Sequence, residues 1–220
     1  CGLDGPDSAE VAVELTRTGV LICTTWQDHG QGADLGALTI AHEALRPLGL
    51  RPEQIRLAIN DTRNPNGGPS GGSRSNVFIG NAIKTGCEML LNAMKKPNGK
   101  FRSHEEMVAE KIPLRYSGKW VAADCSAIDP RTGQGKPFPI YMYELFLPEV
   151  EVDLDTGKVQ VVRFTTAVDV GTIVNRATVD GQIYGGLAQG IGLALSEDYE
   201  DLKKHTNLAD CGLPYIKDVP

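Results

Sequence analysis

The sequence predicts an α+β fold with mixed or antiparallel sheets and long packed helices. Three observations support this prediction. Alternating apolar and polar runs, joined by short turns, indicate β-hairpins near both ends of the chain. Apolar residues recur at helical spacing over long segments elsewhere. The strands and helices do not alternate regularly, as a fully parallel βαβ sheet would require.

The first half of the chain is predicted to contain a hairpin, two helices and a short strand. Thr18-Gly19 separates the two strands of the hairpin, and Pro97-Asn98-Gly99 ends the second helix. The predicted elements are, in order, strands 11–15 and 20–26, helix 35–45, strand 55–59 and helix 76–94.

The second half is predicted to contain a short helix, a strand, a second hairpin and a last helix. Residues 103–106 have the spacing of a capping box, and residues 155–158 have the composition of a hairpin turn. Ser117-Gly118 is predicted to form a turn within a strand. The predicted elements are helix 104–111, strand 114–125, strands 140–153 and 159–169, and a helix that Thr178 or Asp180 caps and that runs to Leu195.

Composition and charge exclude several classes of protein. The 220 residues are 41% apolar and 23% charged, which is enough to bury a core. The net charge of −6, without a basic stripe, argues against a nucleic-acid partner. The sequence shows no signal peptide or long apolar span, so no membrane partner is expected. Because the chain opens at Cys1 without Met, we expect it to be a piece of a longer polypeptide. A domain sub-boundary is expected near residues 97–115.

The cysteines and histidines do not form a metal site in the sequence. The five cysteines include no C-x-x-C pair, which indicates buried, reduced thiols in a cytoplasmic protein. The four histidines are scattered, and His29 is a candidate base or ligand or an ordinary surface residue. No Ser/His/Asp set is evident, so no catalytic residue is assigned.

The first candidate binding segment is the turn over residues 28–34. Gly30 and Gly32 allow close approach of a ligand to the backbone, and the helix that follows offers unpaired N–H groups to an anion. The spacing is G-x-G-x-x-x-G when Gly36 is included, which does not match the dinucleotide fingerprint of a Rossmann site. Ordinary turn chemistry is the alternative.

The second candidate is the long polar loop over residues 61–75, which ends in Ser70-Gly71-Gly72-Ser73-Arg74-Ser75 before a helix. The loop lacks the G-K-[ST] ending of a P-loop. It nevertheless combines hydroxyls, an arginine and a helix N-terminus, which suit a phosphate or a polar heterocycle. A flexible solvent-exposed loop is the alternative.

The third candidate, residues 174–182, opens a glycine-dense helix. Glycines inside a helix cost about 1 kcal/mol each relative to alanine, which suggests close backbone packing or a ligand against the helix. Gln182 could donate and accept hydrogen bonds in a buried site, or it is simply solvated.

Taken together, these segments resemble the molybdenum hydroxylase family, which includes xanthine dehydrogenases and aldehyde oxidoreductases. The matching stretches are Gly30-Gln31-Gly32, residues 70–75, residues 173–182 (IVNRATVDGQ) and residues 185–192 (GGLAQGIG). The likeness is strongest to bacterial aldehyde oxidoreductases that carry molybdopterin cytosine dinucleotide. It implies that the chain is a C-terminal part of the molybdenum-binding region of such an enzyme.

The resemblance also implies a set of cofactor contacts, with the pterin near the first two segments, the dinucleotide near the third and Gln182 near the molybdenum. No protein side chain would bind the metal, since the pterin supplies its ligands. The implied contact residues are His29, Gly30, Gln31, Gly32, Ala33, Ser70, Gly71, Gly72, Ser73, Arg74, Ser75, Asn175, Arg176, Ala177, Thr178, Val179 and Gln182.

The reaction implied by the family is oxidation of an aldehyde to a carboxylic acid, with electrons leaving through [2Fe-2S] clusters to an acceptor protein. Those clusters would lie outside this chain, in a parent protein that is expected to be a homodimer. The family's general base is a glutamate in a G-E-x-P turn, which does not occur in residues 1–220. This chain alone is therefore expected to be inactive. A purine or N-heterocycle hydroxylase of the same family and a non-catalytic nucleotide-binding domain are the alternatives.

Overall fold

A mixed four-stranded sheet is the centre of the first of two units, Cys1–Tyr141 and Met142–Pro220, in the computed structural model, which describes residues 2–58 and 61–220. Its strands are β1 (Ser8–Thr16), β2 (Gly19–Cys23), β3 (Ile55–Ala58) and β4 (Arg115–Val121), in the order β3-β2-β1-β4. The N-terminal hairpin is confirmed, since β1 and β2 pair antiparallel. The strand predicted over 55–59 is seen as far as Ala58, and residues 59 and 60 lie outside the described residues.

Strands β2 and β3 are parallel neighbours, joined by the helix α1 (Ala33–Ala44). Parallel strands cannot be joined by a tight turn, so the chain must cross over between them, here through a helix. The sequence pattern did not indicate this βαβ unit. Its consequence is that the segment after β2 and the segment after β3 leave the sheet at the same edge.

The helix predicted over 76–94 packs across β1 and β4. It begins as a π-helical turn (Ser75–Ile79) and continues as α2 (Gly80–Met94). The predicted turn at Ser117-Gly118 is wrong, because β4 runs through both residues. Gly118 instead allows contact between two backbones, since a Cβ there would overlap the carbonyl oxygen of Ala82 and the backbone nitrogen of Gly86.

The core of the first unit contains the largest fully buried apolar side chains, Trp26, Phe78, Ile22, Leu45, Ile79 and Ile83. The short helix α3 (His104–Ala109) begins with the predicted capping box: Ser103 Oγ accepts from Glu106 N at 3.2 Å, and Glu106 Oε2 accepts from Ser103 N at 2.9 Å. Residues 97–115 lie inside this unit, whereas the two units divide between Tyr141 and Met142.

The second unit consists of the predicted hairpin, β5 (Tyr143–Val152) with β6 (Val159–Asp169), followed by the helix α4 (Arg176–Leu195). The residue that caps α4 is Asn175, whose Oδ1 accepts from Thr178 N at 3.2 Å. The prediction of Thr178 or Asp180 as the cap is therefore wrong, since both lie inside the helix. Four short 3₁₀ turns complete the description, at Arg46–Leu48, Pro52–Gln54, Leu208–Cys211 and Ile216–Asp218.

Apolar side chains of the second unit are largely exposed. Every residue of β5 is exposed, including Tyr143 at 76%. The buried apolar residues described in this unit are Val161, Ile191 and Cys211. Within the described part of the chain, none of the helices has the length and apolar character needed to traverse a bilayer. The α+β prediction with mixed and antiparallel sheets is confirmed.

Candidate functional site

Two of the three predicted binding segments meet at the edge of the sheet where β2 and β3 end. The hydroxyl of Ser70, in the long loop after β3, donates to the carbonyl of Gln27 at 2.7 Å and accepts from the backbone N–H of Gln27 at 3.0 Å. Gln27 directly precedes the turn over 28–34. The first two predicted segments are therefore adjacent in space.

The long loop over 61–75 is held in place by side chains on both sides. Asn64 donates its side-chain amide to the carbonyl of Thr24 at 3.2 Å. The hydroxyl of Thr25 accepts from the backbone N–H of Gly67 at 3.0 Å. The loop therefore has a defined path along the exit of β2, which is the arrangement expected of a functional loop.

Arg74 is the most buried charged residue of this loop, with a relative exposure of 1%. Its Nε and Nη2 donate to the two carboxylate oxygens of Asp7 at 2.6 and 2.7 Å. Nη2 also donates to the carbonyl of Ser8 at 2.8 Å, and Nη1 donates to those of Pro69 and Gly67 at 2.7 and 3.3 Å. A guanidinium has five N–H donors, and all five are used within the protein. The Arg74 side chain therefore has a structural role in the described chain, and its predicted contact with a cofactor stays a prediction.

Aromatic rings complete the environment of Arg74. The guanidinium carbon lies 4.8 Å from the ring centroid of Phe78 and 5.5 Å from that of Trp26.

Gly72 ties the loop to the start of the chain, since its carbonyl accepts from Gly2 N at 2.7 Å. The loop conformation therefore depends on a segment some seventy positions earlier in the sequence.

The Asp7 carboxyl makes the stabilising effect of the Asp7–Arg74 ion pair dependent on pH. Desolvation would raise the pKa of Asp7, but hydrogen bonds from Arg74 and from the backbone of Leu3 and Ser8 outweigh it and lower the pKa below 3.8. A carboxyl with a lowered pKa stabilises the folded state at and above its ordinary pKa, and this contribution disappears as pH falls through the lowered value.

We therefore expect the stability gap between the wild-type full-length protein and its Asp7→Asn variant to be largest above about pH 4. The gap should shrink at lower pH, as Asp7 of the wild type becomes protonated. Urea unfolding midpoints of both proteins, measured across the acidic range, test this expectation. A gap that stays constant on acidification would contradict it.

The turn over 28–34 is organised by Asp28. Its carboxylate accepts backbone N–H groups from Gly30 at 2.8 Å, Asp34 at 3.0 Å and Gly32 at 3.2 Å. The bond from Asp34, the strongest influence, and those from Gly30 and Gly32 lower the pKa of the Asp28 carboxyl against the opposing effect of burial. The amides of Gly30 and Gly32 are therefore already paired, and so is that of Asp34 in the first turn of α1, the helix whose N–H groups were predicted to be open to an anion.

Gln31 makes its side-chain hydrogen bonds inside the same turn. Its Nε2 donates to the carbonyl of Gln27 at 3.3 Å, and its Oε1 accepts from the backbone N–H of His29. Gly30 and Gly32 have φ values of 103° and 81°, a conformation that favours glycine. His29 is exposed.

The third predicted segment lies in the second unit, on the first turn of α4. Thr178 Oγ1 donates to the carbonyl of Asn175 at 2.9 Å, and Arg176 pairs with Asp180 at 2.8 Å. Gln182 is exposed. The side chains of Asn175, Arg176 and Thr178 thus stabilise the helix start, as the side chains of the other two segments stabilise their turns.

Several glycines have no explanation inside the described chain. At Gly71 an added Cβ would meet no atom within 4 Å, and its φ is not positive. The same holds for four glycines of α4, which are Gly181, Gly185, Gly186 and Gly190. A glycine that neither conformation nor internal packing requires indicates close approach by another molecule or another part of a polypeptide.

The arginines of the first two segments, Arg63 and Arg74, are paired with Asp61 and Asp7, and the other donors there are mainly amides and hydroxyls. Among residues 2–58 and 61–220, no group of three or more His, Cys, Asp or Glu side chains could hold a metal ion. The indole Nε1 of Trp26, beside Gln27, is buried without a hydrogen-bond partner in the described structure. This chemistry, with open backbone at Gly71, fits a polar heterocycle that brings its own metal ligands.

Sequence reasoning missed the residues that organise the site. Asp28 had a local signal, because an aspartate two residues before a turn glycine has the spacing of an Asx turn. Asp7 had none, since it is 67 positions from Arg74.

Known proteins match this chain over its whole length. A family model described as the molybdopterin cofactor-binding domain covers residues 1–220. The aldehyde oxidoreductase of Megalodesulfovibrio gigas is 51% identical over 100% of this chain and 24% of its own length. The crystal structure of the aldehyde oxidoreductase from Desulfovibrio desulfuricans ATCC 27774 superimposes with a TM-score of 0.96 and 56% identity, over 100% of this chain and 24% of that one.

More distant structures share only the fold. Quinoline 2-oxidoreductase from Pseudomonas putida 86 superimposes with a TM-score of 0.73 at 21% identity, over 97% of this chain and 30% of that one. The chain spans about a quarter of the length of the aldehyde oxidoreductases that it matches.

Proposed function

We propose, from the premise that this chain belongs to the molybdopterin cofactor-binding domain family, that it holds the cofactor in a molybdenum-dependent aldehyde oxidoreductase. The cofactor is molybdopterin cytosine dinucleotide, and [2Fe-2S] clusters lie elsewhere in the parent protein. When bound, the cofactor supplies the redox chemistry: an aldehyde and water give a carboxylic acid, two protons and two electrons, and the electrons pass to an acceptor protein.

The observation that carries this proposal is the reciprocal hydrogen bonding between Ser70 and Gln27. It brings the Gly30-Gln31-Gly32 turn next to the Ser/Gly loop (residues 70–75), as binding of a single large ligand to both requires. Preorganised loops lower the entropy that is lost on binding. The residues of this chain therefore bind and orient the cofactor, and we assign none of them a catalytic role.

Each predicted segment has a proposed part in this binding. The backbone at Gly71, and the turn that Gln31 completes, face the pterin. At the start of α4, Asn175 contacts the dinucleotide and Gln182 lies near the metal. The glycines of α4 that internal packing does not explain allow the ligand to approach the helix backbone. Arg74 contributes by holding the loop rather than by donating to the ligand.

The partners of the chain follow from its exposed surfaces. The second unit buries few of its apolar side chains, so we propose that the remainder of the parent polypeptide covers β5 and α4. We further propose a homodimeric parent. A cytoplasmic location is supported by the four described cysteines, which are free and buried.

Elemental and nucleotide analysis of the intact parent protein tests the proposed function. We expect molybdenum, iron and a cytosine nucleotide to co-purify in fixed ratios, together with turnover of aldehydes and not of purines. A protein that contains no molybdenum would contradict the proposal. Turnover of purines but not aldehydes would contradict the proposed substrate class.

A substitution at Gly71 tests whether the cofactor lies against the loop. We expect Gly71→Leu to leave the fold intact, because the site is open and its φ is not positive, and to lower molybdenum content about tenfold or more by blocking close approach. Gln134→Ala, in another exposed loop of the same unit, is the control and should change neither property. Normal molybdenum content in Gly71→Leu would place the cofactor elsewhere.

A further inference from the structure

The Asp28 side chain accepts three backbone N–H groups in and just after the Gly30-Gln31-Gly32 turn described above. Gly30 and Gly32 donate to Oδ1, and Asp34 donates to Oδ2. The helix α1 starts at Ala33, so the same carboxylate lies at the positive end of the helix dipole. A negative charge is therefore built into the place where a ligand phosphate would otherwise bind.

The turn that Asp28 holds is linked directly to the second loop. The Gln31 side chain donates to the carbonyl of Gln27, which also accepts from the hydroxyl of Ser70. A change in the conformation of the turn would therefore move both Gln31 and the attachment point of the Ser/Gly loop. The charge of Asp28 also reaches its neighbour, since burial and this charge raise the pKa of Asp34.

We propose that Asp28 is a positioning residue for the cofactor, and that it selects which part of the cofactor meets this turn. The proposal rests on the function proposed above. By pairing with three amides, Asp28 fixes the turn before the cofactor arrives. By occupying the anion site at the start of α1, it repels a phosphate, so that the turn accepts a neutral heterocycle and leaves the pyrophosphate to another segment.

The test compares three substitutions in the full-length parent protein. We expect Asp28→Ala to lower the molybdenum and cytosine nucleotide content about fivefold to tenfold, because the turn loses the carboxylate that orders it. Asp28→Asn keeps one oxygen that can accept from Gly30 and Gly32, so its content should be intermediate. Asp129→Ala is the matched control, since Asp129 also accepts a backbone N–H in an exposed turn, at 2.8 Å from Arg131 N.

A second measurement separates positioning from general destabilisation. In Asp28→Ala, formate should enter the vacated amide site and restore slow hydrogen exchange of the peptide that covers residues 28–34, with no effect on the wild type. A general loss of stability would not respond to formate. This readout does not depend on the cofactor.

The outcomes distinguish this inference from the proposed function. Absence of molybdenum from the wild type would overturn the proposed function, whatever the variants do. A wild type that contains molybdenum, with equal content in Asp28→Ala, would overturn the role of Asp28. The same conclusion would follow if Asp28→Asn were as depleted as Asp28→Ala and formate had no effect on exchange.

Discussion

Replacing Arg74 with methionine is expected to destabilise the first unit by about 3–5 kcal/mol, because it leaves the Asp7 carboxylate buried without its partner. The Asp7–Arg74 pair is buried on both sides, and Arg74 also ties together the carbonyls of Gly67 and Pro69. The Ser/Gly loop would lose its defined path, so cofactor content should fall with stability.

A double variant and a surface pair provide the controls for Arg74→Met. The double variant Asp7→Asn/Arg74→Met should be less destabilised than the sum of the two single variants, since it removes the unpaired charge. Arg163→Met breaks an ion pair with Glu149 in which both side chains are exposed, and it should cost less than about 1 kcal/mol. Urea unfolding and metal analysis of the full-length proteins give both readouts. Additive single variants would show that the pair does not act as a clamp.

Gly118→Ala is expected to destabilise the packing of β4 on α2 by about 3 kcal/mol or more. The new methyl group would overlap main-chain atoms of Ala82 and Gly86, and a helix backbone cannot rotate away as a side chain can. The first unit would therefore have to separate its sheet from α2, the helix that follows the loop over residues 61–75.

Hydrogen exchange of the full-length protein measures this effect locally, through the peptides that cover β4 and α2. Gly118→Ala should lose protection in both peptides, whereas Ser117→Ala, at the exposed neighbouring position of the same strand, should retain it. Unchanged protection in Gly118→Ala would mean that the strand and the helix can move apart at little cost.

Elements whose signals are local were predicted correctly. The hairpin at Thr18-Gly19 follows from a turn between two alternating runs, and the helix predicted over 104–111, which ends at Ala109, follows from a capping box. The three candidate binding segments were chosen on the same kind of signal, since each combines glycines with a helix start over a few residues, and their contact with a cofactor stays a prediction. Such features are determined by residues that are close in sequence, so the sequence alone is sufficient to predict them.

Features that depend on distant residues could not be predicted in this way. The parallel pairing of β2 and β3 brings the first two segments to one edge of the sheet, yet nothing in either strand specifies its neighbour. The turn prediction at Gly118 failed because glycine is found both in turns and where two backbones touch, and the sequence does not distinguish the two.

The sequence thus specified the α+β class, the hairpins and the family to which the chain belongs, since these rest on local patterns and ordered motifs. Only the tertiary structure determined which contacts the side chains make. Arg74 forms a buried ion pair with Asp7, and Asp28 accepts hydrogen bonds from the backbone amides of Gly30 and Asp34. The physical reason is that burial and donor saturation are properties of a three-dimensional neighbourhood. A guanidinium that could have gripped a ligand has no donor left once five protein oxygens surround it.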